Sequence, residues 1–210
     1  MAMKTQKERM LNSELYLASD ETLRKEARYA KKMLRQINQE IDSEVRKKLL
    51  KDLLGQTAEN FYIEPPFYCD YGSNIHLGAN FYANTDSIML DVAKIEIGDN
   101  VMFGPRVSLF TASHPIDALT RISGPELGYE ILISDNVWIG GGSIVNPGIT
   151  IGRNTIIGSG SVVTKNIPAN VIAAGNPCRV IRAITQVDQE KWRSLHQQLL
   201  DELAEDETEH

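Results

Sequence analysis

The stretch ILISDN-VWIGGG-SIVNPG-ITIGRN-TIIGSG-SVVTKN, residues 131–166, is six hexapeptides in a single unbroken frame. The third place of each holds an aliphatic residue: Ile133, Ile139, Val145, Ile151, Ile157 and Val163. Glycine often follows, as at Gly140, Gly152 and Gly158. One inward apolar residue in six does not fit a helix of period 3.6. It also fails the simple alternation of long strands. Upstream the same frame reads IHLGAN, FYANTD, SIMLDV, then, after a two-residue offset, IEIGDN, VMFGPR, VSLFTA. Its third places are Leu77, Ala83, Met89, Ile97, Phe103 and Leu109. A triangular solenoid satisfies this pattern. Each hexad makes one flat side, three make a coil, and the aliphatic side chain points into the prism. Twelve hexads give four coils. An antiparallel sandwich of short strands would not hold one frame through six successive hexads.

The flanks differ in character. Residues 1–58 are lysine-rich and helical in pattern. Met10, Leu11, Leu15 and Tyr16 form a short amphipathic turn, and Asp20 reads as an N-cap before apolar Leu23, Ala27, Ala30 and Leu34. Ser43 and Gly55 bracket a third helix. These helices bury little alone and are expected to cap one end of the solenoid, which spans residues 59–183. Residues 184–210 form a helical extension with an acidic tail, in which Val187, Trp192, Leu195, Leu199 and Leu203 share a stripe.

The 210 residues carry a formal charge of −6. Asp201, Glu202, Glu205, Asp206, Glu207 and Glu209 account for all of it, so nothing recommends a nucleic-acid partner. No run approaches the roughly 18–20 apolar residues of a membrane span, and the N-terminus lacks the apolar core of a secretory signal. A cytoplasmic location is expected. Cys69 and Cys178 are expected to be free thiols and are too few for a cysteine zinc site.

Function is expected where the repeat breaks. Residues 113–130, SHPIDALTRISGPELGYE, leave the solenoid and return in frame, carrying His114. From the residues alone, His114 reads equally as a structural loop histidine or as a general base.

The hexads, the loop TASHPID, the segment DNVWIGGGSIVNPGITIG and the ending VTKNIPANVIAAGNPCRVIR together resemble the hexapeptide-repeat acetyltransferases. The openings ELYLASDETL and EPPFYCDYGSNI resemble the sugar O-acetyltransferase branch: the maltose, galactoside and nodulation types. The resemblance covers about residues 8–183. It implies an all-β fold, a left-handed parallel β-helix with an N-terminal helical segment and a C-terminal helix. It further implies a homotrimer with active sites between subunits, and acetyl transfer from acetyl-CoA to a sugar hydroxyl with no metal required.

By that resemblance His114 is the base, Asn84 contacts substrate beside it, and Glu126 orients it. Asp70, Tyr82 and Asp91 fall at acceptor-site positions. The oxyanion donor falls at Gly141 or Gly142. Trp138, Gly141, Gly142, Ser159, Thr164, Lys165, Arg179 and Arg182 match positions along coenzyme A, the last three cations supplying charge for its phosphates. Three rivals share the fold. One is a transferase acting on a galactoside or another small hydroxyl or amine acceptor, such as an antibiotic, serine or an amino-sugar nucleotide. Another is a carbonic anhydrase, which needs three histidine ligands where this region offers only His76 and His114. The third is a non-catalytic trimeric scaffold.

Overall fold

In the computed structural model, the backbone is described for residues 3–208 and side chains for residues 3–205. The side chains of Asp206 and Glu207, with Glu209 and His210, lie outside the described residues.

Short parallel strands stack into three sheets, one for each side of a prism. Two sheets hold five strands, and the third holds seven, its last strand, Arg179–Ala183, running antiparallel to Val171–Ala174. All twelve third-place residues are buried, from 0 % to 4 % exposed. First-place residues such as Ile75, Ile95, Ile131 and Ser143 are buried too. Each three-residue side therefore turns two side chains in and its middle one out. The corners need left-handed backbone, and Asn80, Asn100, Asn136, Asn154 and Asn170 adopt it. Asparagine tolerates this conformation and ladders with its copies in adjacent coils. Asn80 Nδ2 donates to Asn100 Oδ1 at 2.9 Å, and Asn100 Nδ2 to Asn136 Oδ1 at 3.1 Å.

The solenoid has one more coil than the hexad frame shows. Strands Gln56–Thr57, Phe61–Ile63 and Phe67–Cys69 pair in parallel with the strands beginning at Ile75, Phe81 and Ser87. This coil lacks the glycine after each third place, and its corner is Pro65-Pro66, so its sequence hides the repeat.

The N-terminal segment forms α1 (Gln6–Leu11), α2 (Glu21–Gln39) and α3 (Ser43–Leu53). Asp20 caps α2 as expected, and Asp42, one residue before the expected start, caps α3. Ala30, Met33, Leu34 and Ile37 of α2 and Leu50 and Leu53 of α3 join the solenoid core in one cluster. These helices therefore seal the first coil. A second cluster gathers Met10, Tyr16, Leu23, Tyr71 and Val92. The loop carries a short helix, α4 (Ala118–Ile122), and the chain ends in α5 (Gln186–Thr208). Val187, Trp192, Leu195, Leu199 and Leu203 are all exposed, so the apolar stripe of α5 covers no part of this chain's core. Cys69 and Cys178 are buried free thiols. Among the described residues, no helix is long and apolar enough to cross a membrane.

Candidate active site

The loop leaves the solenoid as a small antiparallel ribbon. Ala112 pairs with Gly128 and Ser113 with Leu127. Tyr129 N donates to Thr111 O at 2.9 Å below them. The ribbon lifts His114 clear of the prism, where it is exposed and its side chain has no hydrogen-bond partner among the described residues. An unpartnered imidazole on a rigid stalk is free to take a proton from a ligand.

Glu126, on the returning arm, is half-buried. Its Oε2 accepts the Tyr16 hydroxyl at 2.9 Å, and no hydrogen bond joins it to His114. Asp70 lies in the same neighbourhood, and its carboxylate has no hydrogen-bond or ion-pair partner among the described residues. Burial pushes its pKa above the ordinary carboxylate value, the Glu126 charge adds to this, and Lys31 opposes it. Asp91, expected at an acceptor position, is fully buried in this chain. Its Oδ1 accepts the backbone N–H groups of Asp70 at 3.0 Å and Tyr71 at 2.9 Å, and its Oδ2 that of Asn74 at 3.2 Å. A carboxylate engaged on three backbone donors fixes the turn that presents Asp70. Burial pushes Asp91 up to about 7 against those same N–H groups.

Asn84 ends the strand Phe81–Ala83. Its Oδ1 accepts Thr85 N at 2.8 Å, leaving Nδ2 as a free donor. No hydrogen bond links it to His114 within the chain. Tyr82 points outward and stacks on Tyr62, with centroids 6.0 Å apart and rings 7° from parallel. On the same face Trp138 pairs with Met102 below and Ile156 above, and stands 47 % exposed.

Gly140, Gly141 and Gly142 turn the corner after Trp138. Gly142 has a φ of 70° and donates its N–H to Pro105 O at 2.8 Å. The Gly141 N–H carries no such bond. Of the two candidate oxyanion donors, Gly141 is therefore the one with a free N–H. Ser159 and Thr164 are exposed further along the prism. Lys165 is an exposed cation without an ion pair among the described residues, and Arg179 donates to Cys178 O at 2.8 Å. The Arg182 guanidinium forms a fork on Asp188 at 2.6 and 2.8 Å, so a phosphate binding there would exchange with an in-chain carboxylate. Among the described residues no cluster of histidine, cysteine and carboxylate side chains could hold a metal ion.

Residues 9–58 match the family model for the maltose acetyltransferase hexapeptide capping motif, and residues 130–165 match the bacterial transferase hexapeptide (six repeats). A crystal structure of a maltose O-acetyltransferase from Clostridium difficile 630 superposes with a TM-score of 0.86 at 54% identity, covering 88% of this chain and 100% of that one. A galactoside acetyltransferase in complex with coenzyme A superposes with a TM-score of 0.85 at 42% identity, over 89% and 94% of the two chains. The galactoside O-acetyltransferase of Escherichia coli (strain K12) is 44% identical over 183 residues, 86% of this chain and 90% of its own length.

Proposed function

We propose that this chain, which belongs to the hexapeptide-repeat acetyltransferases, transfers acetyl from acetyl-CoA to a sugar hydroxyl, with His114 as general base. The observation that carries the reading is the exposed, unpartnered imidazole held on the one loop that leaves the solenoid. His114 takes the proton from the acceptor hydroxyl. The acceptor oxygen attacks the thioester carbonyl, and the tetrahedral oxyanion meets the free Gly141 N–H. Collapse expels the thiolate of coenzyme A, which takes the proton from the imidazolium. Asp70, with an open carboxylate, and Tyr82, with an exposed ring, suit a sugar acceptor. Lys165 and Arg179, neither in an ion pair among the described residues, are the cations for the coenzyme's phosphates, and Ser159 and Thr164 line its arm beside Trp138.

The working unit in this reading is a homotrimer with the site between subunits. Two of the three prism faces support it. The outward residues of one run Tyr62, Tyr82, Met102, Trp138, Ile156 and Ile172, and another shows Tyr68, Ile88, Ile144 and Val162. The third turns out Gln56, His76, Glu96, Leu132 and Thr150, of which only Leu132 is a large apolar side chain. Two largely apolar faces and one mostly polar face suit cyclic packing around a threefold axis. His114 and Asn84 share no hydrogen bond within one chain, which also fits a site completed by a neighbour's Asn84.

Release of thiol from acetyl-CoA, followed with maltose, glucose and a galactoside as acceptors, tests the reading. It should appear with at least one sugar and fall by about 10²–10⁴-fold in His114→Ala, the usual contribution of a positioned base. Wild-type turnover in that variant would remove His114 from the role.

A further inference from the structure

Tyr16 sits 110 residues from Glu126 in sequence, yet the two are bonded three ways. Tyr16 N donates to Glu126 O and Glu126 N to Tyr16 O, both at 3.0 Å. The Tyr16 hydroxyl donates to Glu126 Oε2 at 2.9 Å. The ring is only 1 % exposed, wedged among Met10, Leu23, Tyr71 and Val92, with Ala112 of the ribbon packed on the same cluster. It is a rigid post, fixed by α1 and α2 and reaching the base of the loop.

The other side of Glu126 faces the arm that carries His114. Ala112 pairs with Gly128 and Ser113 with Leu127, so the next pair in that register is His114 with Glu126. Glu126 directs its own N–H and C=O to Tyr16, which makes the His114 pair the non-hydrogen-bonded kind, in which side chains stand closer. Directly opposed residues share a face, with Cβ atoms about 4.5–5.5 Å apart. The observed ladder ends at Ser113 and Leu127, and one further step in its register would set Tyr16, Glu126 and His114 in one lateral row. Glu126 Oε2 is taken by the tyrosine, while Oε1 has no partner among the described residues.

We propose that Tyr16 is a positioning residue for acetyl transfer, anchoring Glu126 opposite the arm that carries His114, so that its unpartnered Oε1 is the atom that closes on the imidazole when the acceptor binds. The inference rests on His114 being the base. A carboxylate fixed beside an imidazole selects its tautomer and stabilises the imidazolium that forms when the acceptor's proton is taken. A loose one does so only part of the time. Burial first, then the Glu126 charge, pushes the Tyr16 phenol well above its ordinary pKa, so it remains a donor throughout the working pH range. Asp70 and Tyr71 surround the same pair, and both raise the phenol further.

The test is a double-mutant cycle on the full-length protein with Tyr16→Phe and Glu126→Ala, alongside His114→Ala, reading kcat and both KM values. Phenylalanine keeps the ring in its packing. Tyr16→Phe should lower kcat about tenfold with the KM for acetyl-CoA unchanged. In the Glu126→Ala background it should change kcat by less than about twofold, because nothing is left to hold. Wild-type kcat in Tyr16→Phe, or losses that multiply in the double variant, would overturn the inference. So would wild-type kcat in Glu126→Ala, a result that stands even if Tyr16→Phe does not fold. If His114→Ala retains turnover, the base assignment itself fails. If His114→Ala is inactive while Tyr16→Phe is not impaired, the inference falls alone.

Discussion

A single methyl group placed between two coils should separate the chemistry of Gly141 from the stability of the solenoid. A Cβ built on Gly104 lies 2.5 Å from Gly141 N and 2.9 Å from Gly141 Cα. Both are backbone atoms, and ordinary contact is about 3.5 Å, so Gly104→Ala is short by about 1 Å. Neither side can yield freely: Gly104 N is tied to Ile139 O at 2.8 Å, and Gly140 N to Ile157 O at 2.7 Å. If the two coils share the displacement, Gly141 moves by roughly 0.5 Å. A misplacement of about 1 Å in a catalytic group costs on the order of 10²-fold, so kcat should fall between about 10- and 100-fold. The stability loss is about 1–3 kcal/mol, or about 2–4 °C in Tm for each kcal/mol in a chain of this size. Gly152→Ala is the control. Its Cβ meets Ala169 Cα and Pro168 C, both at 2.8 Å, at a corner away from Trp138 and the loop. The two variants should lose similar stability in thermal unfolding. In the thiol-release assay only Gly104→Ala should lose kcat. Equal kcat in the two variants would refute the placement of the oxyanion at Gly141.

Two further outcomes follow from the same geometry. Asp91 holds its proton more tightly folded, at about 7, than unfolded, at about 3.9. Its stabilising contribution is therefore present in full below about pH 4 and is lost as pH rises through 7. Urea unfolding at fixed protein concentration should show wild type losing about 2–3 kcal/mol relative to Asp91→Asn between pH 5 and pH 8, and a difference that does not change with pH would contradict this. Mixing His114→Ala with Asn84→Ala subunits should restore part of the activity in mixed trimers, and no recovery under verified subunit exchange would place both residues in one subunit's site.

What the sequence discloses follows from the range of each interaction. The inward place of the hexad is a local rule repeated twelve times, so its third-place residues announce four coils, and all of them are buried. The first coil escapes because Pro65-Pro66 and the aromatic strand Phe67–Cys69 replace the glycine corners, although parallel pairing with the next coil is retained. The caps of α2 and α3 are similarly local, and the end of the solenoid they seal could be read from their apolar faces. The site is only partly legible for the opposite reason. The break in the repeat exposes the loop and His114. Whether a carboxylate is open or engaged depends on partners in another coil: Asp91 is held by the N–H groups of residues 70, 71 and 74. Tyr16 gave no sequence signal beyond an apolar turn, because its partner lies across the whole first half of the solenoid.

That long-range bond also says why the helical segment and the loop belong to one chain. A solenoid end can be capped by any amphipathic helix, and the α2 and α3 faces that join its core do so without touching the loop. The residues that reach the loop come mainly from α1 and the turn after it, backed by Leu23 in the first turn of α2: Met10 and Tyr16 in the second cluster, and the paired backbones of Tyr16 and Glu126. Removing this first stretch alone should leave the coils capped and stacked while freeing the returning arm of the loop. The N-terminal segment thus performs two separable tasks, sealing the prism through α2 and α3 and bracing the catalytic loop through Tyr16.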